Sequence, residues 1–315
     1  MSGVRKRSVV ADRRLRRWVA GLFAGVLTLF TAFVLLDTFV IPYRLIAVEP
    51  ARSATGAPAT WPSPAALPKG LDSQSEPLTH TDAYRAITIG VYRFDDANVY
   101  VADLVVTDPA LMKVAFADDV YGRNVVATTS SQAAAAGAIL AINGSFYGAR
   151  EASYVVLNGR IYRDNPLSAD QEDLAVMADG TLEVVREGDV TAGELVAGGA
   201  VDVLSFGPGL VVGGRAVVGS ANYNGNGQAR NPRTAIAQLG PLHYAFVVVD
   251  GRTTASAGLD LHQLADFLVR YGATTAYNLD GGGSSAMWFR GRVLNEPTTD
   301  GETIVEREIS DIVYV

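Results

Sequence analysis

The chain contains 315 residues, of which 49% are hydrophobic and 19% are charged, and its formal net charge at pH 7 is −7. This composition excludes an intrinsically disordered chain, and the length suffices for one large domain or two small domains with extensions. Cysteine is absent, which excludes disulfide bonds, thiolate nucleophiles and cysteine-ligated metal ions. Lysine and arginine are concentrated in residues 1–17, so the remainder is more acidic than the total charge indicates and we expect no nucleic-acid binding.

Residues 18–41 are predicted to form a transmembrane anchor. No charged residue occurs from Trp18 to Leu36, and that length suffices to span the hydrocarbon core of a bilayer. The basic segment at residues 1–17 predicts a cytoplasmic N-terminus and an extracytoplasmic C-terminal domain, in a single-pass protein of the cell membrane that has the lipid bilayer as a partner. A cleaved signal peptide is the alternative, although no clear small-x-small cleavage site follows the apolar run.

The next segment, residues 42–78, is predicted to be a semi-extended linker. It is rich in alanine, serine, threonine and proline, and its prolines interrupt both helices and sheets. Its expected role is to hold the following domain, residues 79–315, away from the membrane. The alternative is that it packs loosely against that domain.

The first part of this domain alternates β-branched and aromatic residues, which is typical of strands. An alanine-rich stretch with two serines at its start then predicts a short helix, and an apolar strand follows that ends before Asn143. In chain order these predicted elements are strands at residues 86–94, 99–106 and 112–116, a helix at residues 129–138 and a strand at residues 139–142.

Three pairs of turn residues predict β-hairpins further along the chain. Asn158–Gly159, Asp179–Gly180 and Gly213–Gly214 each separate two runs of β-forming residues. Because hairpins join antiparallel strands, we predict an α+β fold with a mixed, largely antiparallel sheet and a minority of helices after the transmembrane helix.

The best-specified helix begins after Asp260 and ends at Gly272. Apolar residues recur from Leu261 at the i, i+3, i+4 and i+7 spacing of one helix face. Asp260 and Gln263 have the spacing of a capping box, and glycine is the usual residue after a helix C-terminus.

This helix lies between predicted strands at residues 244–249 and 275–278, a βαβ pattern that places the two strands parallel and near one another. Asp250 follows the first strand and Asp280 follows the second. Ligands commonly bind at strand ends beside such a crossover, so we expect the two carboxylates to share one cleft.

The run from Asn278 to Ser285 combines an amide, a carboxylate, three glycines and two hydroxyls. A glycine triplet alone is more often a tight turn between strands. The polar groups around it favour a ligand site. A nucleotide-binding P-loop is excluded, because no lysine follows the glycines and the next residues predict a hairpin instead of a helix.

Four further segments mix glycine with polar or charged residues at predicted strand ends, namely Asn143–Tyr147, Asn231–Thr234, Asp250–Arg252 and Arg307–Asp311. Together with Asn278–Ser285 they resemble the phosphodiester glycosidase family, which includes the enzyme that uncovers mannose 6-phosphate and bacterial proteins linked to exopolysaccharide biosynthesis. The resemblance covers roughly residues 139–315. The Asp-Gly-Arg and Asn-Leu-Asp-Gly-Gly-Gly-Ser-Ser motifs are intact and the Pro-Arg-Thr-Ala motif is Pro232–Ala235, whereas Ser145, Tyr147 and Ala237 depart from the family pattern.

The resemblance implies hydrolysis of the bond between an anomeric sugar carbon and a phosphodiester. Asp280 is then the carboxylate that stabilises or attacks the oxocarbenium-like centre, Asp250 is a second carboxylate or orients an arginine, and Arg233 binds the phosphate. The residues it assigns to substrate binding are Asn143, Gly144, Thr234, Arg252, Asn278, Gly281, Gly282, Gly283, Ser284 and Ser285. Ser145 is expected to reshape the sugar pocket, because it places a side chain where the family has a glycine.

The expected partner is a sugar phosphodiester or another glycan, in surface polysaccharide metabolism. No cofactor and no metal ligand are assigned, although acidic clusters such as Asp118–Asp119 leave a divalent cation possible. The alternative to a hydrolase is a non-catalytic glycan-binding or polysaccharide-assembly module on the same fold, because a fold can persist after its chemistry is lost.

Overall fold

The computed structural model describes residues 18–32, 45–48, 71, 73–219 and 227–315. Two compact units divide the chain between Arg44 and Leu45. The first unit contains one described helix, α1, at residues 18–32. The second unit contains every other described element.

The predicted transmembrane helix at residues 18–41 is not supported by the described part of the chain. No helix among the described residues is both long enough and apolar enough to cross a membrane. Residues 1–17 and 33–44, and most of the predicted linker, lie outside the described residues.

Short antiparallel strands dominate the described part of the second unit, which also contains three α-helices. In chain order the described strands are β1 (Ile46–Ala47), β2 (Leu78–Thr81), β3 (Arg85–Phe94), β4 (Ala97–Val106), β5 (Lys113–Phe116), β6 (Val120–Tyr121), β7 (Leu140–Asn143), β8 (Ser153–Leu157), β9 (Arg160–Asn165), β10 (Glu172–Met177), β11 (Leu182–Arg186), β12 (Ala200–Ser205), β13 (Gly209–Val212), β14 (Arg215–Ala216), β15 (Arg233–Gly240), β16 (His243–Val249), β17 (Thr275–Leu279), β18 (Met287–Phe289), β19 (Arg292–Val293) and β20 (Asp311–Tyr314). The helices are α2 (Thr129–Ala135), α3 (Ala192–Ala197) and α4 (Leu261–Tyr271).

The strands form an 8-stranded sheet, two 5-stranded sheets and a 2-stranded sheet. The largest has the order β14-β13-β17-β15-β16-β4-β3-β2, and the others have the orders β11-β10-β12-β8-β9, β19-β18-β7-β20-β5 and β1-β6. The strand and hairpin predictions are confirmed, including the turns at Asn158–Gly159, Asp179–Gly180 and Gly213–Gly214.

The prediction of a mixed sheet is wrong, because every pairing between described strands is antiparallel. The βαβ unit is present, since α4 connects β16 to β17. Both strands pair antiparallel with β15, which lies between them. They therefore run parallel to each other, as predicted, without sharing hydrogen bonds.

Helix α4 has the predicted ends and the predicted buried face. The Asp260 side chain accepts a hydrogen bond from the Gln263 N–H, the Gln263 side chain closes the capping box, and Gly272 adopts the left-handed conformation at the C-terminus. Leu264 and Leu268 are fully buried in a cluster with the large sheet. This packing fixes the ends of β16 and β17, which carry Asp250 and Asp280.

The strand ends that matter for function come from two sheets. In the large sheet, β15 begins at Arg233 opposite the end of β16, and Thr234 lies opposite Leu279 at the end of β17. In the second sheet, the end of β7 at Asn143 lies opposite Ile312 of β20. A hydrogen bond from the Asp280 N–H to the Gly144 carbonyl joins the two groups of strand ends.

Candidate active site

A cleft of about 390 Å³ opens where these strand ends meet. Four arginines and one carboxylate, Asp280, line it together with aromatic, amide and glycine residues. The lining residues are Phe146, Arg150, Phe206, Gly207, Gly227, Asn231, Arg233, Arg252, Leu261, Asn278, Asp280, Gly281, Gly282 and Arg307. Among the described lining residues the charge is therefore strongly positive, which suits an anionic substrate.

The Asp280 carboxylate is held at the floor of the cleft by three donors. Its Oδ1 accepts a hydrogen bond from the Gly281 N–H at 2.8 Å, and its Oδ2 accepts one from the Ser284 hydroxyl. Arg307 Nη2 lies 2.9 Å from Oδ2 and forms an ion pair with it. Burial raises the pKa of Asp280 above its ordinary value of 3.8, while Arg307 and these hydrogen bonds lower it.

Two of the predicted arginines, Arg233 and Arg252, line one side of the cleft. Arg233 is buried and donates to the Leu259 and Ala229 carbonyls. Burial lowers the pKa of Arg233 to about 10, so the guanidinium stays protonated at neutral pH. Arg252 is exposed and donates to neutral oxygens only, among its described contacts. Both cations are thus positioned to attract a phosphate group.

The glycine run packs closely on its neighbours. Gly282 has a φ of 62°, and a Cβ there would lie 3.0 Å from Arg252 Nη2. A Cβ on Gly283 would lie 2.1 Å from Thr299 Oγ1. Gly281 and Gly282 line the cleft, as expected of residues predicted to bind substrate, and their amides donate to Asp280 and to the Pro232 carbonyl.

Asn143 lies beneath the floor of the cleft and does not line it. Its Nδ2 donates to the Asp280 carbonyl at 2.6 Å, while its Oδ1 accepts from Thr234 Oγ1 at 2.7 Å and from the Ala286 N–H at 3.2 Å. Asn143 and Thr234, which were predicted to bind substrate, both lie outside the cleft lining, and their side chains are fully buried and hydrogen-bonded to the protein. Asn143 instead joins β7 to β15 and to the glycine run.

We expect Asn143→Ala to lower the free energy of unfolding by about 2 kcal/mol, because it leaves buried donors and acceptors without partners. Urea denaturation followed by circular dichroism measures the change. Asn165→Ala is the matched control, since Asn165 is exposed and its amide donates to one carbonyl, and we expect a change within about 0.5 kcal/mol. Equal stability of Asn143→Ala and the wild type would contradict the structural role of this amide.

Asp250 does not share the cleft with Asp280. Its Oδ1 accepts from Asn295 Nδ2 and from the Glu296 N–H, both at 3.0 Å. Burial raises the pKa of Asp250, and its neighbour Tyr100 also hydrogen-bonds it. The prediction that the two carboxylates share one cleft is wrong, because the chain after β16 turns the Asp250 side chain towards the loop that contains Asn295.

Ser145, the departure from the family pattern, does not reach the cleft. Its hydroxyl donates to Asp311 Oδ2 at 2.9 Å, and its N–H donates to the same oxygen at 3.1 Å. Burial raises the pKa of Asp311 to about 7. The expected reshaping of the sugar pocket by Ser145 is therefore not seen, because the added side chain points to a buried carboxyl.

Of the remaining residues that were predicted to bind substrate, one lines the cleft and the others do not. Asn278 lines the cleft, and its Nδ2 donates to the Gly207 carbonyl at 2.7 Å. Ser284 supports Asp280, as described above. The other members of this group, Gly144, Gly283 and Ser285, are buried and lie outside the cleft lining.

Several residues of the cleft were not predicted as binding residues. Arg307 lies in a motif segment to which no role was assigned, and it pairs with Asp280 across a separation of 27 residues. Phe146 and Asn231 lie in motif segments without an assigned role, and only their polar or aromatic character at strand ends indicated them. Arg150 and Phe206 carry no local signal that distinguishes them from surface residues, since long-range packing places them here.

The described residues contain no group of three or more His, Asp or Glu side chains that is placed to hold a metal ion. The acidic neighbours Glu172 and Asp173 have protein partners instead, namely the Gly209 N–H and Gln171 Nε2. The expectation that the protein needs no cofactor remains a prediction.

Comparison with known proteins places the cleft within a recognised domain. Residues 136–315 match the sequence model of the phosphodiester glycosidase family. The SPbeta prophage-derived uncharacterized protein YomE of Bacillus subtilis (strain 168) is 27% identical over 162 residues, which are 51% of this chain and 24% of YomE. This chain thus spans about a quarter of that relative.

Two solved structures share the fold. The zebrafish N-acetylglucosamine-1-phosphodiester alpha-N-acetylglucosaminidase catalytic domain, auto-inhibited by its pro-peptide, has a TM-score of 0.58 and 18% identity, and the match covers 89% of this chain and 90% of that one. A hypothetical protein from Synechocystis has a TM-score of 0.55 and 16% identity, with coverage of 76% and 63%. All the described residues that line the cleft, including Arg233, Asp280 and Arg307, lie within the family match.

Proposed function

Because this chain belongs to the phosphodiester glycosidase family, we propose that it hydrolyses the bond between the anomeric carbon of a sugar and a phosphodiester oxygen. The observation that carries the proposal is the position of Asp280. It is the one carboxylate among the described residues that line the cleft, and arginines surround it. A carboxylate stabilises a cationic sugar, and arginines bind the phosphate that leaves.

In this reaction the arginines stabilise the negative charge of the leaving phosphate, and Asp280 stabilises the positive charge of the sugar. The bond between C1 and the phosphate oxygen breaks, and its electron pair leaves with the oxygen to give a phosphate monoester. Positive charge develops at C1 and the ring oxygen, next to the Asp280 carboxylate, which stabilises it electrostatically or by bonding to C1. Water then supplies the hydroxyl group of the free sugar, and its other proton is released.

The leaving group explains why one carboxylate suffices. A glycosidase that expels a sugar alkoxide needs a carboxylic acid to protonate the leaving oxygen. A phosphate monoester is a far weaker base and leaves without that proton. Arg252 and Arg233 stabilise the charge that it gains, so the absence of Asp250 from the cleft is compatible with the reaction.

We further propose that the reaction takes place outside the cytoplasm, in the metabolism of a surface polysaccharide. The support is the sequence alone: a basic segment at residues 1–17 precedes an apolar run, which is the order expected of a membrane anchor or an export signal. The sugar phosphodiesters of cell-surface polymers are substrates of the required class.

The test is incubation of the purified full-length chain with a panel of sugar 1-phosphodiesters, with free sugar and phosphate monoester measured together. We expect equal amounts of the two products. Tight glycan binding without either product across the panel would favour the non-catalytic module instead.

A further inference from the structure

Arg150 occupies one end of the cleft against two aromatic rings. Its guanidinium carbon lies 5.8 Å from the centroid of the Phe146 ring and 5.4 Å from that of Phe206. The two rings are nearly perpendicular, at 89°, with centroids 6.3 Å apart. Such contacts hold a guanidinium in place through its flat face, and they leave the N–H groups at its edge free to bind an anion.

The charge of Arg150 has no acidic partner. Arg150 forms no ion pair with a described aspartate or glutamate. The adjacent acid, Glu151, pairs with Arg123 at 2.5 Å instead. A guanidinium that lines a cleft without an acidic partner can bind an anion from that cleft.

The aromatic rings at this end indicate which half of the substrate lies here. Phe146 is 36% exposed, and Phe206 also lines the cleft. An aromatic ring offers an apolar face to a sugar ring, whereas it has no hydrogen-bond donor for a phosphodiester. The sugar half of the substrate is therefore expected beside Arg150.

The phosphodiester is then left to the other cations. Arg252 contacts Asn231 and Thr299, and it lies beside Gly282 at the floor of the cleft. Arg307 is already paired with Asp280. The scissile phosphate therefore has its own arginine, and the charge of Arg150 is in excess of what a neutral sugar phosphodiester needs.

We propose that the sugar half of the substrate carries a second anionic group, which binds the edge of the Arg150 guanidinium. This inference rests on the proposed hydrolysis, and it names the substrate class: a sugar 1-phosphodiester whose sugar is itself acidic. A carboxylate, as in a hexuronic acid, and a phosphate ester on the sugar supply the same chemistry.

The test compares ethyl phosphodiesters of glucose 1-phosphate, glucuronic acid 1-phosphate and glucose 1,6-bisphosphate esterified at its 1-phosphate. We expect the wild type to prefer one of the two acidic sugars over the neutral one. The preferred sugar identifies the second anionic group as a carboxylate or as a phosphate. In Arg150→Gln the kcat/KM should fall roughly 10- to 100-fold further for that sugar than for the neutral one, since a hydrogen bond to a charged group contributes about 1.5–3 kcal/mol. Arg150→Lys should retain part of the preference.

The matched control is Arg160→Gln. Arg160 lies 5.2 Å from the Tyr162 ring centroid and outside the cleft lining, so its loss removes a cation–π contact without touching the site. A wild-type preference for the neutral sugar, or an equal loss for all three substrates in Arg150→Gln, would overturn the proposal.

Failure of the hydrolysis itself gives a different result. If the wild type releases no sugar from any of the three compounds, the proposed function fails. Calorimetric binding of glucuronic acid 1-phosphate, glucose 1,6-bisphosphate and glucose 1-phosphate then decides the inference. Tighter binding of an acidic sugar that is lost in Arg150→Gln supports it, and equal binding of all three overturns it.

Discussion

Asp280→Asn is expected to reduce kcat for a sugar 1-phosphodiester by at least about 10³-fold, because removal of a charged group from the centre of a preorganised site costs several kcal/mol of transition-state stabilisation. The substitution keeps the size of the side chain and an oxygen that can accept from the Gly281 N–H. It removes the negative charge that we propose stabilises C1, and it removes the ion pair with Arg307. Initial rates of sugar release measure the effect.

The control for this experiment is Asp266→Asn. Asp266 and Arg270 form an exposed ion pair at 2.8 Å on α4, away from the cleft lining. We expect turnover by Asp266→Asn to equal that of the wild type, and thermal unfolding should show that both variants are folded. Full turnover by Asp280→Asn would remove Asp280 from the mechanism.

Arg307→Gln is expected to move the acidic limb of the profile of kcat/KM against pH to higher pH. The sign follows from the two forms of Asp280. Burial raises the pKa of this carboxyl, and Arg307 lowers it by favouring the charged form. Without Arg307 the pKa rises further, so the active carboxylate is lost at a higher pH.

The size of this shift is moderated by solvent, because the Arg307 side chain is 41% exposed and its charge is partly screened. Arg270→Gln is the matched control, since it breaks the Asp266 pair and should leave the profile unchanged. An Arg307→Gln profile with an unmoved or lowered acidic limb would contradict the role assigned to this ion pair.

The sequence predicted correctly those elements that depend on residues close together in the chain. Both ends of α4 follow from Asp260, Gln263 and Gly272, and each predicted hairpin follows from its two turn residues. Helix α2 ends at Ala135, earlier than predicted, because Gly137 adopts a left-handed conformation with a φ of 64°.

The contents of the cleft were harder to predict, because they depend on which way a side chain points after its strand ends. Asp250 and Asp280 follow two parallel strands, yet only Asp280 faces the cleft. Asn143 carries a motif typical of a binding residue, and it is bonded internally on every side. Its Asn-Gly-Ser sequence is also a glycosylation acceptor by pattern, but the side chain is buried.

The positions of Arg307 and Arg150 could not be predicted for a second reason, because each contacts a residue that is distant in the sequence. The pairing of β20 with β7 brings the segment before β20 to the glycine run, and thereby Arg307 to Asp280. The end of β12 brings Phe206 to Phe146, and Arg150 packs on both rings. No local pattern in the sequence predicts these contacts.

Hydrolysis in water enriched in oxygen-18 tests the central claim most directly, because it identifies the bond that breaks. The claim is that the bond between C1 and the phosphate oxygen is cleaved next to the Asp280 carboxylate. Mass spectrometry of the products should therefore find the label in the C1 hydroxyl of the sugar and none in the phosphate monoester. Label in the phosphate would mean attack at phosphorus, and it would contradict the account.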